Sequence, residues 1–272
     1  MSHAVSDATF AGQLPAFYQQ YLVPLIFEPY AADLAQRLTR RPLRQVLEIA
    51  AGTGVVTRRL ASALPESVAI VATDLNPGML DQAAATGTSR PVEWRQADAA
   101  RLPFPDQAFD VVVCQFGVMF FPDKAGAFVE ARRVLRAGGV FLFNAWDRIE
   151  HNEFADVITT ELATLYPDDP PRFLARTPHG YADRAVIERD LSAGGFSNPA
   201  EFVTLTERSR AASADIPALA YCQGTVLRNE IEARDPGGLA RATARAAKAI
   251  RRRFGAGAVE GRVQAHVVAV EK

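Results

Sequence analysis

A buried strand runs directly into a glycine-containing turn early in the chain. Strand and turn span residues 46–54, and residues 55–61 follow with helical spacing. Glycine lets the backbone approach a ligand closely because it carries no Cβ. The first turn of the next helix offers unpaired N–H groups to polar ligand atoms. This strand-turn-helix unit therefore predicts an α/β fold with a ligand site at the end of the strand.

A second strand, predicted at residues 68–73, ends at Asp74. A carboxylate in this position can accept hydrogen bonds from ribose hydroxyls. Together the two units predict a nucleoside cofactor. The turn contains Gly52 and Gly54, but Thr57 stands where the dinucleotide fingerprint has its third glycine, which argues against NAD. The turn also lacks the Gly-Lys-Ser/Thr ending of a phosphate-binding P-loop.

Five more motifs follow in order, at residues 75–80, 94–99, 102–106, 109–114 and 134–139. As an ordered set they resemble the class I, seven-stranded S-adenosylmethionine-dependent methyltransferases, including those of quinone biosynthesis and of other small molecules. The resemblance covers residues 44–147, a little over a third of the chain. It implies S-adenosylmethionine as the cofactor and methyl transfer to a small-molecule acceptor by in-line displacement.

The resemblance implies a doubly wound, Rossmann-like, mostly parallel seven-stranded sheet with its last strand antiparallel. Within residues 44–147 the alternation of strands and helices predicts a parallel sheet covered on both faces. The core strands are predicted at residues 45–50, 68–73, 92–95, 110–114 and 140–145. A helix is predicted at residues 123–136, where Asp123 caps its start and Gly138 closes its end.

We expect three regions. Residues 1–40 form an N-terminal helical lid, with a frayed start at residues 1–9 and helices broken by Pro15, Pro24 and Pro29. Residues 41–147 form the cofactor-binding core. Residues 148–272 complete the sheet with strands at 201–207 and 263–270 and add helical substrate-cap insertions. Helices are predicted at residues 151–166, 183–192, 216–229 and 237–254, the last two inserted between the final strands.

The resemblance also implies which residues bind the nucleoside end of the cofactor. Asp74 accepts from both ribose hydroxyls. Asp98 accepts from the adenine amino group, and the Ala99 N–H meets a ring nitrogen. Three neighbouring residues flank the adenosine: Leu75, Asn76 and Met79. Ordinary packing stays open for Met79, and a surface-turn role stays open for Asp98.

At the methionine end, Ala50, Gly52 and Gly54 are expected to line the cofactor through their backbones. Glu48 supports the ammonium group through water, and Gln115 faces the reaction centre unless its amide caps a loop. The family usually has glycine at position 50. Because positive φ costs alanine about 1 kcal/mol or more, we expect a negative φ at Ala50.

Aromatic residues are frequent ahead of the first core strand. In the family, helices in this place close over the cofactor, which makes Tyr21 a cofactor-contacting candidate. Packing of the helices against the sheet is an equally good interpretation for Tyr18 and Tyr21. The same aromatic content, continued in the cap region, favours a partly apolar acceptor.

The composition excludes several function classes. A net charge of −1 gives no general attraction to nucleic acid or to an acidic membrane. There are two cysteines, Cys114 and Cys222, which imply no disulfide framework and a cytoplasmic protein. Cys114 ends an apolar strand and is expected to be a buried structural thiol. No apolar run or signal-peptide pattern indicates a membrane segment, and we expect a monomer or homodimer.

The sequence offers candidates for a general base but does not choose among them, since the resemblance implies no universal catalytic residue. They are Glu150, His151, His179 and Tyr181, of which a histidine with a near-neutral pKa could deprotonate a hydroxyl. The four histidines have no metal-ligand spacing, so no metal site is expected.

Three other functions remain open. The chain could bind the cofactor with lost or altered chemistry, or it could be a nicotinamide-dependent oxidoreductase. An RNA methyltransferase is the third, because the helix predicted at residues 237–254 carries six cations without an acid: Arg241, Arg245, Lys248, Arg251, Arg252 and Arg253. A solvated amphipathic helix is the favoured interpretation of that charge.

Overall fold

A computed structural model of the protein describes Gly12 and residues 14–272. The frayed start predicted at residues 1–9 lies outside that part of the chain. Seven strands form one sheet in the order β3-β2-β1-β4-β5-β7-β6. They are β1 Gln45–Glu48, β2 Ala69–Asp74, β3 Glu93–Gln96, β4 Phe109–Gln115, β5 Leu135–Trp146, β6 Glu201–Ala211 and β7 Val259–Glu271.

Strands β1 to β5 pair in parallel, and β7 lies antiparallel between β5 and β6. The predicted mostly parallel, seven-stranded sheet with an antiparallel last strand is therefore confirmed. The central strand β4 is nearly continuous in apolar residues, and Val112, Val113 and Cys114 are fully buried. Such strands are covered on both faces by helices, as the alternating pattern predicts.

Helices connect the strands, and three consecutive helices precede β1. They are α1 Leu14–Phe17, a π-helix Tyr18–Phe27, α2 Glu28–Leu38, α3 Val55–Ala63, α4 Pro77–Thr86, α5 Lys124–Val134, α6 Glu153–Leu165, α7 Phe173–Arg176, α8 Arg184–Ala193, α9 Asp215–Gln223, α10 Leu227–Arg234 and α11 Leu239–Phe254. In the described part of the chain, no helix combines the length and apolarity needed to span a bilayer.

The prolines of the N-terminal region do not break its helices, contrary to the sequence prediction. Helix α1, the π-helix and α2 follow one another without a gap, and the residues at both junctions, Phe17 and Glu28, have right-handed helical dihedrals. Pro24 lies on the exposed side of the π-helix. A wider π turn accommodates the missing proline N–H because it interrupts the regular α-helical hydrogen-bond ladder.

The predicted helix over residues 123–136 is two residues too long. Asp123 caps α5 as expected, since its carboxylate accepts from the Gly126 N–H at 2.9 Å. The helix ends at Val134, and β5 begins at Leu135. Gly138 has φ +72° and lies inside β5 at a shift in its register with β4, so it shapes an irregular strand and does not close the helix.

The C-terminal region departs from the prediction in the number of its helices. The helix predicted at residues 216–229 is divided into α9 and α10, with Gly224 ending α9. Three helices, α9 to α11, therefore lie between β6 and β7. Helix α9 packs against both the π-helix and α11, so the N-terminal helices contact the helices inserted between β6 and β7.

Candidate functional site

A cavity of about 360 Å³ opens at the carboxyl ends of β1, β2 and β4. One half of its wall comes from these strand ends and the turns after them. Nine predicted cofactor residues lie on that wall: Ala50, Gly52, Asp74, Leu75, Asn76, Met79, Asp98, Ala99 and Gln115. Parallel strands bring residues distant in sequence to one edge of the sheet, which is where α/β folds bind ligands.

The turn after β1 has left-handed backbone at alternate positions. Gly52 has φ +56° and Gly54 has φ +79°. Ala50 has φ +52°, so the expectation of a negative φ is wrong. The turn shortens β1 relative to the prediction. It is held on its far side by the Ala51 N–H, which donates to the Thr73 carbonyl at 2.9 Å. The surrounding structure thus imposes on Ala50 a conformation that costs about 1–2 kcal/mol.

The Ala50 side chain faces a second tight turn. An ideal Cβ built on Gly117 would lie 2.5 Å from the Ala50 Cβ and 2.7 Å from the Cys114 Sγ. Only a glycine fits there without displacing its neighbours. Burial raises the pKa of Cys114 to about 12, so this thiol is an inert packing group, as the sequence predicts.

Asp74 ties the two cofactor-side turns together. It is 6% exposed, and its Oδ2 accepts from the Gly52 N–H at 2.8 Å. Its Oδ1 accepts from the Asn76 N–H at 2.8 Å. Burial raises the pKa of this carboxyl, while the hydrogen bonds from Asn76 and Gly52 oppose that rise. Asp74 is therefore a positioned acceptor on the cavity wall.

The other predicted nucleoside-binding residues on this wall are more exposed to solvent than Asp74, with the exception of Met79. Met79 is buried, whereas Leu75 is half exposed. Asp98 is exposed, and its Oδ1 accepts from the Ala100 N–H at 2.9 Å, which leaves Oδ2 toward solvent and cavity. A flat ligand lying against Leu75 and Met79 would cover this apolar surface.

Three predicted residues are absent from the cavity wall. Glu48 is buried beneath it, with its Oε2 2.5 Å from the Thr57 Oγ1. Gly54 serves helix packing, because a Cβ there would lie 2.7 Å from Cη2 of Trp94. Tyr21 packs against Phe17 with ring centroids 5.6 Å apart. For Tyr21, packing is the interpretation that the structure supports.

Sequence reasoning missed most of the second half of the cavity. Its wall is predominantly aromatic and aliphatic and comes from the π-helix, the segment after β4, the end of β5, the region of α7, and α9. The lining residues are Tyr18, Leu22, Ile26, Phe27, Phe116, Gly117, Phe120, Phe121, Pro122, Trp146, Asn152, Phe173, Leu174, Pro178, His179, Tyr221 and Thr225. None of them lies in the motifs that carry the family resemblance, so only long-range packing reveals them.

Two aromatic side chains form a flat wall in this half. The rings of Phe116 and Trp146 stack with centroids 3.7 Å apart and an interplanar angle of 7°. Phe116 has φ +52°, which turns it back from the end of β4 toward the end of β5. A positive φ at a bulky residue is a strained arrangement that clusters at functional sites. The strained turn at Phe116 therefore belongs to the wall of the cavity.

Of the four candidate bases, His179 alone lines the cavity. Glu150 is exposed. His151 is half exposed, with its Nδ1 3.0 Å from Oδ2 of Asp147. The Tyr181 hydroxyl donates to Oδ2 of Asp190 at 3.0 Å, away from the cavity. Among the residues described, no group of three or more histidine, cysteine or acidic side chains could hold a metal ion.

The basic helix α11 is neutralised by acids from other elements. Arg245 and Arg252 both pair with Glu161 of α6, at 2.7 and 2.6 Å. Arg241, Arg251 and Arg253 pair with Asp235, Asp215 and Glu153. Five of the six cations therefore already have an acidic partner within the chain, which weakens the positive field that RNA binding would need.

Comparisons with known proteins agree with this architecture. A family profile described as a methyltransferase domain matches residues 47–143. The chain is 32% identical over 169 residues to the ubiquinone/menaquinone biosynthesis C-methyltransferase of Ectopseudomonas mendocina, covering 57% of this chain and 66% of that enzyme, just under two thirds. It is 33% identical over 172 residues to the demethylmenaquinone methyltransferase of Mycolicibacterium gilvum, covering 60% and 72%.

A solved structure supports the fold over nearly the whole chain. A candidate methyltransferase from Bacillus halodurans superposes with a TM-score of 0.57 at 21% identity, covering 89% of this chain and 98% of that one. The family profile and the cited sequence relatives are methyltransferases, which argues against a nicotinamide-dependent oxidoreductase. The chain therefore belongs to the class I S-adenosylmethionine-dependent methyltransferase family, with S-adenosylmethionine as its cofactor.

Proposed function

We propose that this protein transfers a methyl group from S-adenosylmethionine to a small, largely apolar acceptor. The observation that carries the proposal is the division of the cavity into two unlike halves. One half has the polar strand ends and backbone turns that suit a nucleoside, and the other has the Phe116–Trp146 stack and further aromatic side chains. A cofactor in the first half and an apolar acceptor in the second would meet near Gln115.

An unpaired buried oxygen in the polar half of the cavity fits the cofactor. The Oε1 atom of Gln115 is buried and has no hydrogen-bond partner in the described part of the chain. An unpaired buried acceptor costs about 1–3 kcal/mol, and the ammonium group of the methionine portion is a donor that would satisfy it. We therefore assign Gln115 to that ammonium. The backbones of Ala50 and Gly52 would line the same portion.

We assign the ribose to Asp74. The Asp74 carboxylate accepts from the N–H groups of Gly52 and Asn76 at 2.8 Å and, at 3.4 Å, from the side-chain amide of Asn76. In the proposed complex the ribose hydroxyls share the remaining acceptor capacity of the carboxylate and replace this long contact. Asp98 has an oxygen left for the adenine amino group, with the Ala99 N–H meeting a ring nitrogen. Leu75 and Met79 would cover the adenosine from its two sides.

When bound, the cofactor supplies an electrophilic methyl group on a sulfonium sulfur. The protein then has to hold the acceptor in line with that methyl and keep water away. The apolar half serves both purposes, since aromatic side chains from five separate segments surround it. This division of labour explains why the motifs of residues 44–147 contain no obvious catalytic side chain.

The ion pairs of α11 favour a small-molecule acceptor over RNA. Names of the relatives point the same way, because both enzymes cited are named for quinone methylation. We also propose a cytosolic protein, since Cys114 and Cys222 are both buried free thiols.

The test is transfer of a labelled methyl group from S-adenosylmethionine to a small-molecule extract and, in parallel, to total RNA. The proposal predicts label in an organic-soluble small molecule and none in RNA. Label in RNA alone would refute it. Tight binding of S-adenosylhomocysteine without transfer to either fraction would instead support a cofactor-binding protein with altered chemistry.

A further inference from the structure

The aromatic half of the cavity contains four polar side chains besides Tyr18, and two of them are fully used by the protein. Asn152 donates to three carbonyls, including those of Asp147 and Gln264, and its Oδ1 accepts from the Gln264 N–H at 3.0 Å. Thr225 donates to the Tyr221 carbonyl at 2.6 Å and accepts from the Leu227 N–H. Their hydrogen-bonding groups stabilise the walls, which leaves Tyr221 and His179.

Tyr221 brings a hydroxyl to the wall from α9. The side chain is 5% exposed, and its hydroxyl has no hydrogen-bond partner among the residues that the structure describes. Burial raises the pKa of this phenol well above its usual range, so the group stays a neutral O–H donor. A buried tyrosine hydroxyl usually finds a partner. Here the cavity is the place where that partner would be.

His179 presents the complementary group. It is 8% exposed, and its Nδ1 lies 2.8 Å from the main-chain oxygen of Asp147. A carbonyl oxygen only accepts, so Nδ1 carries the proton and Nε2 keeps its lone pair. Burial lowers the pKa of His179 to about 4, which keeps the ring neutral. Within the described residues, Nε2 has no hydrogen-bond partner.

We propose that these two atoms bind oxygen groups of the methyl acceptor: Nε2 of His179 accepts from a hydroxyl, and the Tyr221 hydroxyl donates to an oxygen. The inference deepens the proposed function and rests on it. It specifies the acceptor as a flat apolar molecule with at least one hydroxyl. The stacked pair Phe116 and Trp146 contacts the apolar body, and His179 lies beside Trp146 with ring centroids 6.0 Å apart.

The probe for this site is 6-fluoro-2-naphthol, compared with its methyl ether, which is equally flat but has no hydroxyl proton. Affinity is measured by fluorine NMR on protein saturated with S-adenosylhomocysteine, so that the nucleoside half is filled. We expect the naphthol to bind at least tenfold more tightly than the ether. Equal affinities for the two compounds, or no binding of the naphthol, would overturn the inference.

Two variants assign the preference to residues. Tyr221→Phe removes one oxygen and should weaken naphthol binding about three- to tenfold, the range of one neutral hydrogen bond. His179→Asn keeps a side-chain N–H donor for the Asp147 carbonyl but removes the Nε2 acceptor, so it should bring the naphthol-to-ether ratio close to one. An unchanged naphthol affinity in Tyr221→Phe, or an unchanged naphthol-to-ether ratio in His179→Asn, would overturn the assignment of that residue.

The matched control is Tyr21→Phe, the same chemical change at a tyrosine outside the cavity, which should leave the naphthol affinity unchanged. All variants should bind S-adenosylhomocysteine with wild-type affinity. If wild-type protein fails to bind S-adenosylhomocysteine, the proposed function fails. If it binds that ligand and ignores the naphthol hydroxyl, only this inference fails.

Discussion

The Nδ1 atom of His179 lies 2.8 Å from the carbonyl oxygen of Asp147, the residue that follows β5. This contact joins the segment after α7 to the sheet. The Asp147 carboxylate continues the junction, because it contacts His151 at 3.0 Å and His266 of β7 at 3.4 Å. One residue at the end of β5 thus holds three histidines from different parts of the chain.

The buried, neutral His179 beside the Asp147 carbonyl predicts that the folded protein loses stability in acid. The pKa of His179 is lowered by burial from 6.5 to about 4. Between those values the unfolded chain binds a proton that the folded chain does not, so stability falls as pH decreases from about 6.5 to about 4. His179→Asn lacks this titration. Its stability deficit relative to wild type, measured by urea unfolding, should therefore shrink between pH 7 and pH 4.5. Parallel stability curves for the two proteins would contradict the assignment.

Glu48 predicts the opposite pH dependence. Its pKa is raised from 4.5 to about 8, chiefly by burial. Between pH 4.5 and about 8 the folded state retains a proton on Glu48 that the unfolded chain has lost. The contribution of Glu48 to the free energy of unfolding is therefore fully present below pH 4.5 and is lost as pH rises through 8. Glu48→Gln should therefore gain stability relative to wild type as pH rises from 5 to 9, by at most about 1.4 kcal/mol per pKa unit. Glu66→Gln, an exposed change, is the control and should show no such trend.

The ribose assignment predicts that Asp74→Ala weakens binding of S-adenosylhomocysteine at least tenfold by calorimetry. The carboxylate would be lost both as a ligand to the sugar and as the acceptor for the Gly52 and Asn76 N–H groups. Asp81→Ala, on the exposed side of α4, should keep wild-type affinity. An Asp74→Ala protein that remains folded and binds normally would remove the ribose assignment.

Gly54 should be intolerant of alanine for two separable reasons. Its φ of +79° costs an alanine about 1–2 kcal/mol, and the new Cβ would lie 2.7 Å from Trp94 and 3.2 Å from the Ala83 Cβ. Gly195 also has a positive φ, +86°, but its Cβ would meet only the Arg132 side chain at ordinary contact distance. Gly54→Ala should therefore destabilise more than Gly195→Ala, by about 1–3 kcal/mol, in urea unfolding. Equal losses would show that Trp94 moves freely.

Ala50 and Gly117 should be energetically coupled. Gly117→Ala places a methyl 2.5 Å from the Ala50 Cβ and should cost about 1–3 kcal/mol. In an Ala50→Gly background that clash is removed, although the contact with Cys114 remains. The cost of Gly117→Ala should then fall by at least about 0.5 kcal/mol in a double-mutant cycle. Additive effects would mean that the two turns do not share this contact.

Much of the nucleotide-binding half could be predicted from the sequence because its signals are local. The positions of the core strands, the glycine turn and Asp74 all depend on residues that are close in sequence and on the rule that parallel strands align their carboxyl ends. The predictions failed where contacts with other segments decide the backbone conformation of a residue, as at Ala50 and Pro24. Ala50 takes a positive φ because the hydrogen bond from Ala51 to Thr73 fixes the turn. Pro24 remains inside a helix because the π turn tolerates it.

The sequence by itself determined the α/β alternation and the position of Asp74 at a strand end, since periodicity and turn chemistry are properties of short segments. The ordered motifs also indicated the family, and the seven-stranded sheet followed from that resemblance. Tertiary structure alone decided which aromatic side chains form the acceptor half and which histidine enters it. Tyr18 and not Tyr21 lines the cavity, and Tyr221 lines it because α9 packs on the π-helix. Those relationships arise from contacts between segments about 200 residues apart in the chain. The free energy of packing decides which of these segments touch, and no local sequence pattern reveals it.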